Sequence, residues 1–592
     1  MARDFGKALL LGPQDLQGEG MAELVVFENS RITFQGAAFL TGRWQGRDII
    51  LARSPGGQPA DSGLVGGERV GDALIYPANY DNMLTWERRL APMRRLVALN
   101  QAGYRQGFGA GNRIVISWRD LPDLRDLTTF GGWDGIFRGM RHSSVPFWFV
   151  QQSIVRELIP EGVDPAQYPG IGHTGGYGPR ELLRAGLFAF ASQGGYTQPP
   201  LPIGADADHA IVVGHDEESL AHSLAFNKLA LTEARDYTKF TVDTSHLFGF
   251  PVTLSPADRQ RLIAIFGGRR FQIPNILPDH PAFAVQYDEE EIIRLGQRYW
   301  RACAVHKELY DHVAGLCGKE PFDYELSLDE TPQPTPPRDL LFYLLLLQEG
   351  MGIPARGVAS AGPNIGFVKR HDYQGDLHEL WLQVNVCASI LHHFGAMLSI
   401  HSADGVRAST GKGRGVDAIL ASATGGKAEL KVADVYQEVL WQVLATSGDA
   451  AEREVFLEAW RRTYEAARWL ADVYRRDLSE RSAEEAQRLS ATPAGQERIR
   501  REHGAEALRL AQGAIGYGLP LFKLAADLLP VTDVSRPSPD AELFRRFMFL
   551  PYRQLRESLF RTMTRQGWQR LADALEEATM VRVQGMGWDL HF

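Results

Sequence analysis

The sequence predicts an α/β fold, a (β/α)8 TIM-type barrel with a small β-rich region before it and an α-helical domain after it. Three observations lead there. Short β-rich runs alternate with helical patterns from about 199 to 445, the rhythm of parallel strands joined by right-handed crossovers. No G-x-G-x-x-G follows the first strand, so a dinucleotide-binding open sheet is not supported. Four clusters of acidic and imidazole side chains close four of the predicted strands. They converge only if the sheet closes on itself, so that the strand ends form one face.

The elements follow in order. From about 22 to 55 apolar and polar residues alternate (ELVVFENSRITFQGAAFLTGRWQGRDIILAR), the period of strands. Residues 105–180 are rich in Gly, Trp and Arg; GNRIVISWRDLPDL holds a short strand and YPGIGHTGGYGPRELLRAG is a glycine loop opening a helix. Strands are then expected in 199–209, 239–246, 323–331, 354–360, 396–405 and 427–433, each followed by a helical pattern. Beyond about 448 the chain is rich in Ala, Glu, Arg and Leu at helical spacing, which reads as a helical domain packed on the barrel or on another subunit. The boundaries are therefore 1–100, 101–447 and 448–592.

Bulk properties narrow the function. A net charge of -9 without a dense Lys/Arg block disfavours nucleic-acid and acidic-membrane binding. The cysteines, Cys303, Cys317 and Cys387, are sparse and lack C-x-x-C spacing, which points to a reducing compartment. The densest apolar run, LLFYLLLLQEGMG, is shorter than the roughly 20 residues a membrane helix needs, and the N-terminus carries no A-x-A cleavage signal. The cytoplasm is the expected location, with a homo-oligomer as an open possibility.

The strand-end clusters are Asp206-Ala207-Asp208-His209, Asp243 with His246, Asp329-Glu330-Thr331, and His401-Ser402. A mixed imidazole and carboxylate set suits Zn²⁺, Mn²⁺, Ni²⁺ or Co²⁺. His209, Glu330 and His401 form its nucleus. An aspartate after a strand also serves as a helix cap, and a lone strand-end histidine such as His246 is often structural. The loop GIGHTGGYG lacks the pattern of a phosphate-binding turn, a helix N-terminus with Lys or Ser/Thr.

These pieces resemble the tagaturonate/fructuronate epimerases of bacterial uronate catabolism. The resemblance runs over about 170–440 and rests on GADADH (204–209), FTVDTSH (240–246), ELSLDETPQPTPP (325–337), DYQGDL (372–377), LSIHS (398–402) and ASATGG-x4-K (421–431). It implies a divalent cation on His209 and His401, with Glu330 and Asp372 as further ligands. Asp208 or Asp206 would be the base and Glu330 the acid. His173, Gln193, Asp243, His246, Asp329, Ser402 and Lys431 would bind substrate. The reaction implied is inversion of a hydroxyl-bearing carbon β to a ketone, by retro-aldol cleavage and re-addition. A metal-dependent aldolase or lyase and a non-catalytic carbohydrate-binding homologue are the alternatives.

The chain departs from the family pattern where a substrate carboxylate would need a cation. The glycine loop reads Gly170-Ile171-Gly172-His173-Thr174 in place of a GxGDRLG-like loop, and His401-Ser402-Ala403-Asp404-Gly405-Val406 lacks a lysine. Val432-Ala433-Asp434 replaces Thr-Ala-Gly. A neutral ketohexose, with fructose and tagatose as the pair, is therefore expected to be handled at least as well as a ketouronate. The cations that could restore a carboxylate site are Lys412, Arg407 and Lys431.

Overall fold

Alternation builds the first layer. The computed structural model describes residues 24–54, 61–116, 124, 126–148, 152–154, 174, 177–197, 202–407, 410–479, 501 and 519–589. In it β1 (Val25–Phe34), β2 (Ala37–Trp44), β3 (Arg47–Arg53), β4 (Glu68–Val70) and β5 (Ala73–Pro77) form an antiparallel sheet of order β1-β2-β3-β5-β4. Gln35-Gly36 and Gln45-Gly46 turn the first two hairpins with positive φ at all four positions, the backbone that matches the twist of paired strands. Buried Asp48 joins this sheet to the helix Pro179–Ser192 by accepting from Arg43 at 3.0 Å and Arg184 at 2.6 Å.

The second sheet is the barrel. Its strands are β6 (Gly107–Ala110), β7 (Phe147–Trp148), β8 (Gln152–Ser153), β9 (Ile203–Gly204), β10 (Asp206–Ile211) and β11 (Lys239–Asp243). After an outer hairpin, β12 (Arg270–Ile273) and β13 (Phe283–Gln286), come β14 (Asp323–Leu328), β15 (Val358–Pro363), β16 (Met397–Ile400) and β17 (Ala428–Val432). All pairings within the barrel are parallel. β7 pairs with β9 and β8 with β10, so two interrupted strands lie side by side. β17 pairs with β6, and eight strand tracks close the ring. Helices between successive tracks cover its outside, among them Glu217–Glu233, Leu377–His393 and Val416–Thr424.

Three local expectations shift. The first barrel strand is Gly107–Ala110, ahead of GNRIVIS, whose described part (residues 111–116) is irregular. Its signal is weak because Gly107 must be bare: a Cβ there would lie 2.1 Å from the Trp148 ring, which fills the barrel interior. The strand expected at 354–360 begins only at Val358. Between β11 and β14 the chain inserts the β12–β13 hairpin and the 29-residue helix Glu289–Cys317, which the strand–helix rhythm does not mark.

The C-terminal segment is helical in its described parts and packs on its own barrel. Phe544, Leu571 and Leu575 belong to the same buried cluster as the barrel side chains. Helix Arg565–Gly585 lies so close to Trp133–Met140 that a Cβ on Gly135 would meet Ala572 O at 2.3 Å. No helix among the described residues is long and apolar enough to cross a membrane.

Candidate active site

Helices cover the outside of these strands, so a charged strand residue escapes a helix face only by pointing into the ring. Alternation does this for Lys239, Thr241 and Asp243 on β11, for Asp323, Glu325 and Ser327 on β14, and for Glu429 and Lys431 on β17. Register sets Thr241 beside Glu325 and Asp243 beside Ser327. At the N-terminal mouth Asp323 accepts the backbone N–H groups of Asn100 (2.9 Å) and Gln101 (3.0 Å), and the Asn100 amide donates to Glu429 at 2.8 Å. Above it Lys239 joins Glu325 (2.6 Å) and Glu429, with its ammonium 4.1 Å from the centre of the Trp148 ring.

Lys431 holds the next layer. Its Nζ reaches Asp206 at 2.7 Å, Glu325 and Thr241 Oγ1 at 2.8 Å, and Asp208 at 3.1 Å. An unpaired buried charge costs several kcal/mol; here every lysine meets at least two carboxylates. Burial works against the Lys431 ammonium, yet Asp206 and then Glu325 raise its pKa well above the usual lysine value. Glu325, also opposed by burial, is held well below the carboxylate range by Lys239 and Lys431.

At the C-terminal mouth the imidazoles meet the carboxylates. His401 follows β16 with Nε2 2.6 Å from Glu325 Oε1 and Nδ1 3.1 Å from Asp329 Oδ1. Burial alone would discharge this ring, but Asp329 and then Glu325 outweigh it and push its pKa up to about 10. His209 adopts a left-handed φ of 54° where the β10–β11 register shifts between Ala207 and Ala210. That bulge turns His209 toward His401, with ring centroids 5.3 Å apart. Ser402 is also left-handed, with φ 54°. Backbone strain of this kind gathers at functional sites.

Two overlapping donor sets result among the described residues. His209, Asp329 and His401 each offer a ligand atom within 4.8 Å of the others, and so do His209, Asp243 and Glu330. Asp243 is fully buried; Oδ1 accepts the Ser245 N–H at 2.7 Å, whereas buried Oδ2 has no hydrogen-bond partner among the described residues. Burial first, and then Glu330, pushes its pKa up to about 6. A carboxylate oxygen left bare among carboxylates fits a cation, and the Glu325 contact to Nε2 leaves Nδ1 of His401 facing the donor set.

Gly362 makes room for that ring. A Cβ there would sit 2.8 Å from His401 Cε1. Gly362→Ala is therefore expected to tilt His401 and weaken divalent-metal binding by about 10–100-fold, the scale for disturbing the support of a ligand. Metal titration of folded variant protein checks this; unchanged affinity would separate His401 from the metal.

The structure gathers Asp206, Asp208, His209, Asp243, His246, Asp329, Glu330, His401, Ser402 and Lys431 at or beneath one mouth. Asp206 is wholly buried between Lys431 and Thr241 Oγ1, whereas the Asp208 side chain keeps 15% exposure and approaches His209 at 3.5 Å. His246 stands 3.8 Å from Glu330. Two expected residues are not brought in. Asp372, expected as a ligand, lies in neither donor set and accepts the Val406 N–H at 2.8 Å, because it fastens the loop after β16. Gln193, expected to bind substrate, caps the C-terminus of helix Pro179–Ser192 and faces Trp133 O, at 3.5 Å. His173 lies outside the described residues.

Sequence reasoning missed Glu325, Lys239, Glu429 and Lys369. The first three carry a usable signal: charges at alternate positions in strands whose outer face is covered must pair inside. Lys369 follows β15 and stands 3.9 Å from Glu330.

Comparison with known proteins agrees with this architecture. Residues 179–408 match the sequence model of a family described as tagaturonate epimerase. A tagaturonate/fructuronate epimerase of Thermotoga maritima is 26% identical over 444 residues, 71% of this chain and 75% of that protein. Crystal structures of a fructuronate-tagaturonate epimerase from Cohnella laeviribosi share the fold at 19% identity. The form with two glycerols has a TM-score of 0.54 over 96% of this chain and 97% of its own, and the native form 0.53 over 95% and 97%. Fold and sequence family together define a barrel enzyme of the carbohydrate isomerase class, of epimerase type. The chain is similar to the tagaturonate/fructuronate epimerases, through the family match over residues 179–408 and the more distant likeness to the Thermotoga protein.

Proposed function

We propose that the protein is a divalent-metal-dependent epimerase that inverts a hydroxyl-bearing carbon β to the ketone of a ketouronate or ketohexose, by retro-aldol and aldol steps. The convergence of His209, His401, Asp329, Asp243 and Glu330, with Asp208 alongside, carries this reading. His209, His401 and Asp329 would hold a Zn²⁺, Mn²⁺, Ni²⁺ or Co²⁺ ion, with Asp243 and Glu330 on its other side. Such an ion supplies Lewis acidity at the ketone oxygen.

The side chains do the rest. His209 and Lys431 hold Asp208 below the usual carboxylate range against burial, so it stays ionised and ready to accept a proton. It takes the proton of the β-hydroxyl; the carbon–carbon bond breaks, an aldehyde forms, and the bond's electron pair becomes an enediolate. The aldehyde turns, the enediolate carbon attacks its other face, and the new alkoxide takes a proton from Glu330. Both carboxyl groups have some exposure and exchange protons with water between turnovers. The floor of paired charges keeps Asp208 and His401 fixed while the fragment moves.

Incubating metal-loaded protein with tagaturonate, fructuronate, tagatose and fructose, followed by ¹³C NMR, tests this. Interconversion within a pair, lost on chelation and restored by metal, is the expected result. Release of separate fragments would instead indicate a lyase, and no reaction with any of the four metals would overturn the reading.

A further inference from the structure

We infer that Lys369 is the cation that receives the substrate's carboxylate, which makes a ketouronate rather than a neutral ketohexose the preferred substrate; this rests on the epimerase reading above. Of the three cations named from the sequence, Arg407 is exposed on the loop after β16, and the other two are engaged. Lys431 lies in the floor among Asp206, Asp208 and Glu325. Lys412 Nζ donates to the carbonyls of Val368 (2.6 Å), Ser402 (2.7 Å) and Asp404 (3.0 Å). The Arg370 guanidinium, one residue from Lys369, is turned to Asp434 at 2.9 Å and Glu438 at 3.4 Å.

Lys369 differs in both ends. Its side chain is 38% exposed and its Nζ approaches Glu330 Oε1 at 3.9 Å, too far for a hydrogen bond. No nearer partner for this ammonium occurs among the described residues. Its backbone, by contrast, is fastened on all sides. Three consecutive carbonyls are each held by a cation: Val368 O by Lys412, Lys369 O by Arg546 at 3.1 Å, and Arg370 O by Arg545 at 3.1 Å. The Arg370 N–H donates to Asp404 O at 3.1 Å, and Arg370 itself has φ 65°. Arg545 also donates to Gly405 O at 2.8 Å, which ties the loop after β15 to the loop after β16. A rim lysine on an ordinary loop has no such support.

Charge gives the reason for the device. Asp208, Asp243, Asp329 and Glu330 surround the mouth, and they would repel an anionic sugar acid unless a cation met its carboxylate end. An ammonium whose backbone is held at the rim meets that need, and only its side chain remains to be ordered by the substrate. It also compensates for the arginine and lysine absent from the glycine loop and from the segment after His401-Ser402.

Calorimetric titration of metal-loaded wild type, Lys369→Met and Lys369→Arg with tagaturonate and with tagatose decides it, since binding is read independently of turnover. Lys369→Met is expected to weaken tagaturonate binding about tenfold or more, the scale of one charge-assisted hydrogen bond. Tagatose binding should change far less, and Lys369→Arg should recover most of the tagaturonate affinity. Equal losses for both sugars, no loss for either, or no tagaturonate binding by wild type would overturn the assignment. Wild type that binds tagaturonate in this pattern yet never interconverts it would overturn the epimerase reading alone.

Discussion

His401→Ala and His209→Ala are each expected to give folded protein that has lost divalent-metal binding and turnover together. The fold survives because Glu325, freed from the His401 ring, keeps Lys239 at 2.6 Å, Lys431 at 2.8 Å and Ser360 at 2.9 Å. His209 lies where the β10 ladder is already broken, so its side chain carries little of the sheet's pairing. The metal, however, loses one of two nitrogen donors from a site otherwise made of carboxylates. A fall in affinity beyond the ~100-fold upper range for an outer partner is expected. Metal content by elemental analysis, read beside circular dichroism, checks both halves. Full occupancy in both variants would remove the metal centre from this site.

The second large effect separates the two aspartates that alternation cannot. Asp208→Asn and Glu330→Gln are expected to lower kcat by about 10²-fold or more, the usual scale for a general acid or base. Asp208→Asn should also keep its metal, since Asp208 belongs to neither donor set. Asp206→Asn should read differently. Asp206 has no exposure and is pinned by Lys431 and Thr241, so its loss shows first in the melting temperature. Comparing kcat and Tm across the three variants tests the assignment. A near-normal kcat in Asp208→Asn, with a severe loss in a well-folded Asp206→Asn, would exchange their roles.

The strand-end clusters were legible because a barrel collects whatever follows its strands on one face. DADH, VDTSH, LDET and IHS could be placed there from spacing alone. The layer beneath them was not. In Asp323–Leu328 (DYELSL) the glutamate occupies the position that alternation in a half-exposed strand would give to water. Closure reverses its meaning, for the outer face is covered by helices and Glu325 points into the ring to meet Lys239, Lys431 and His401. Asp372 misled for the opposite reason. Its motif matched the family, but its carboxylate secures the Val406 N–H of a neighbouring loop.

Specificity shows the same division. Reading the glycine loop and the His-Ser segment removes two cations and favours a neutral sugar. Lys369 and the arginines behind it lie far from both stretches in sequence. Arg545 and Arg546 come from a C-terminal helix, Glu542–Phe547, whose link to the barrel loops no local pattern expresses.

The sequence by itself determined the barrel, the helical C-terminal segment and the gathering of imidazole and carboxylate side chains at the strand ends. Periodicity and strand-end composition are local properties, and a closed parallel sheet has one face on which such residues can gather. Only the tertiary structure decided which aspartate is buried, that Glu325 supports His401, that a bulge turns His209 into the site, and that distant arginines fix Lys369. Those outcomes depend on register, on ring closure and on contacts between residues far apart in the chain, such as Lys431 and Asp208, 223 positions apart, and neither composition nor spacing encodes such geometry.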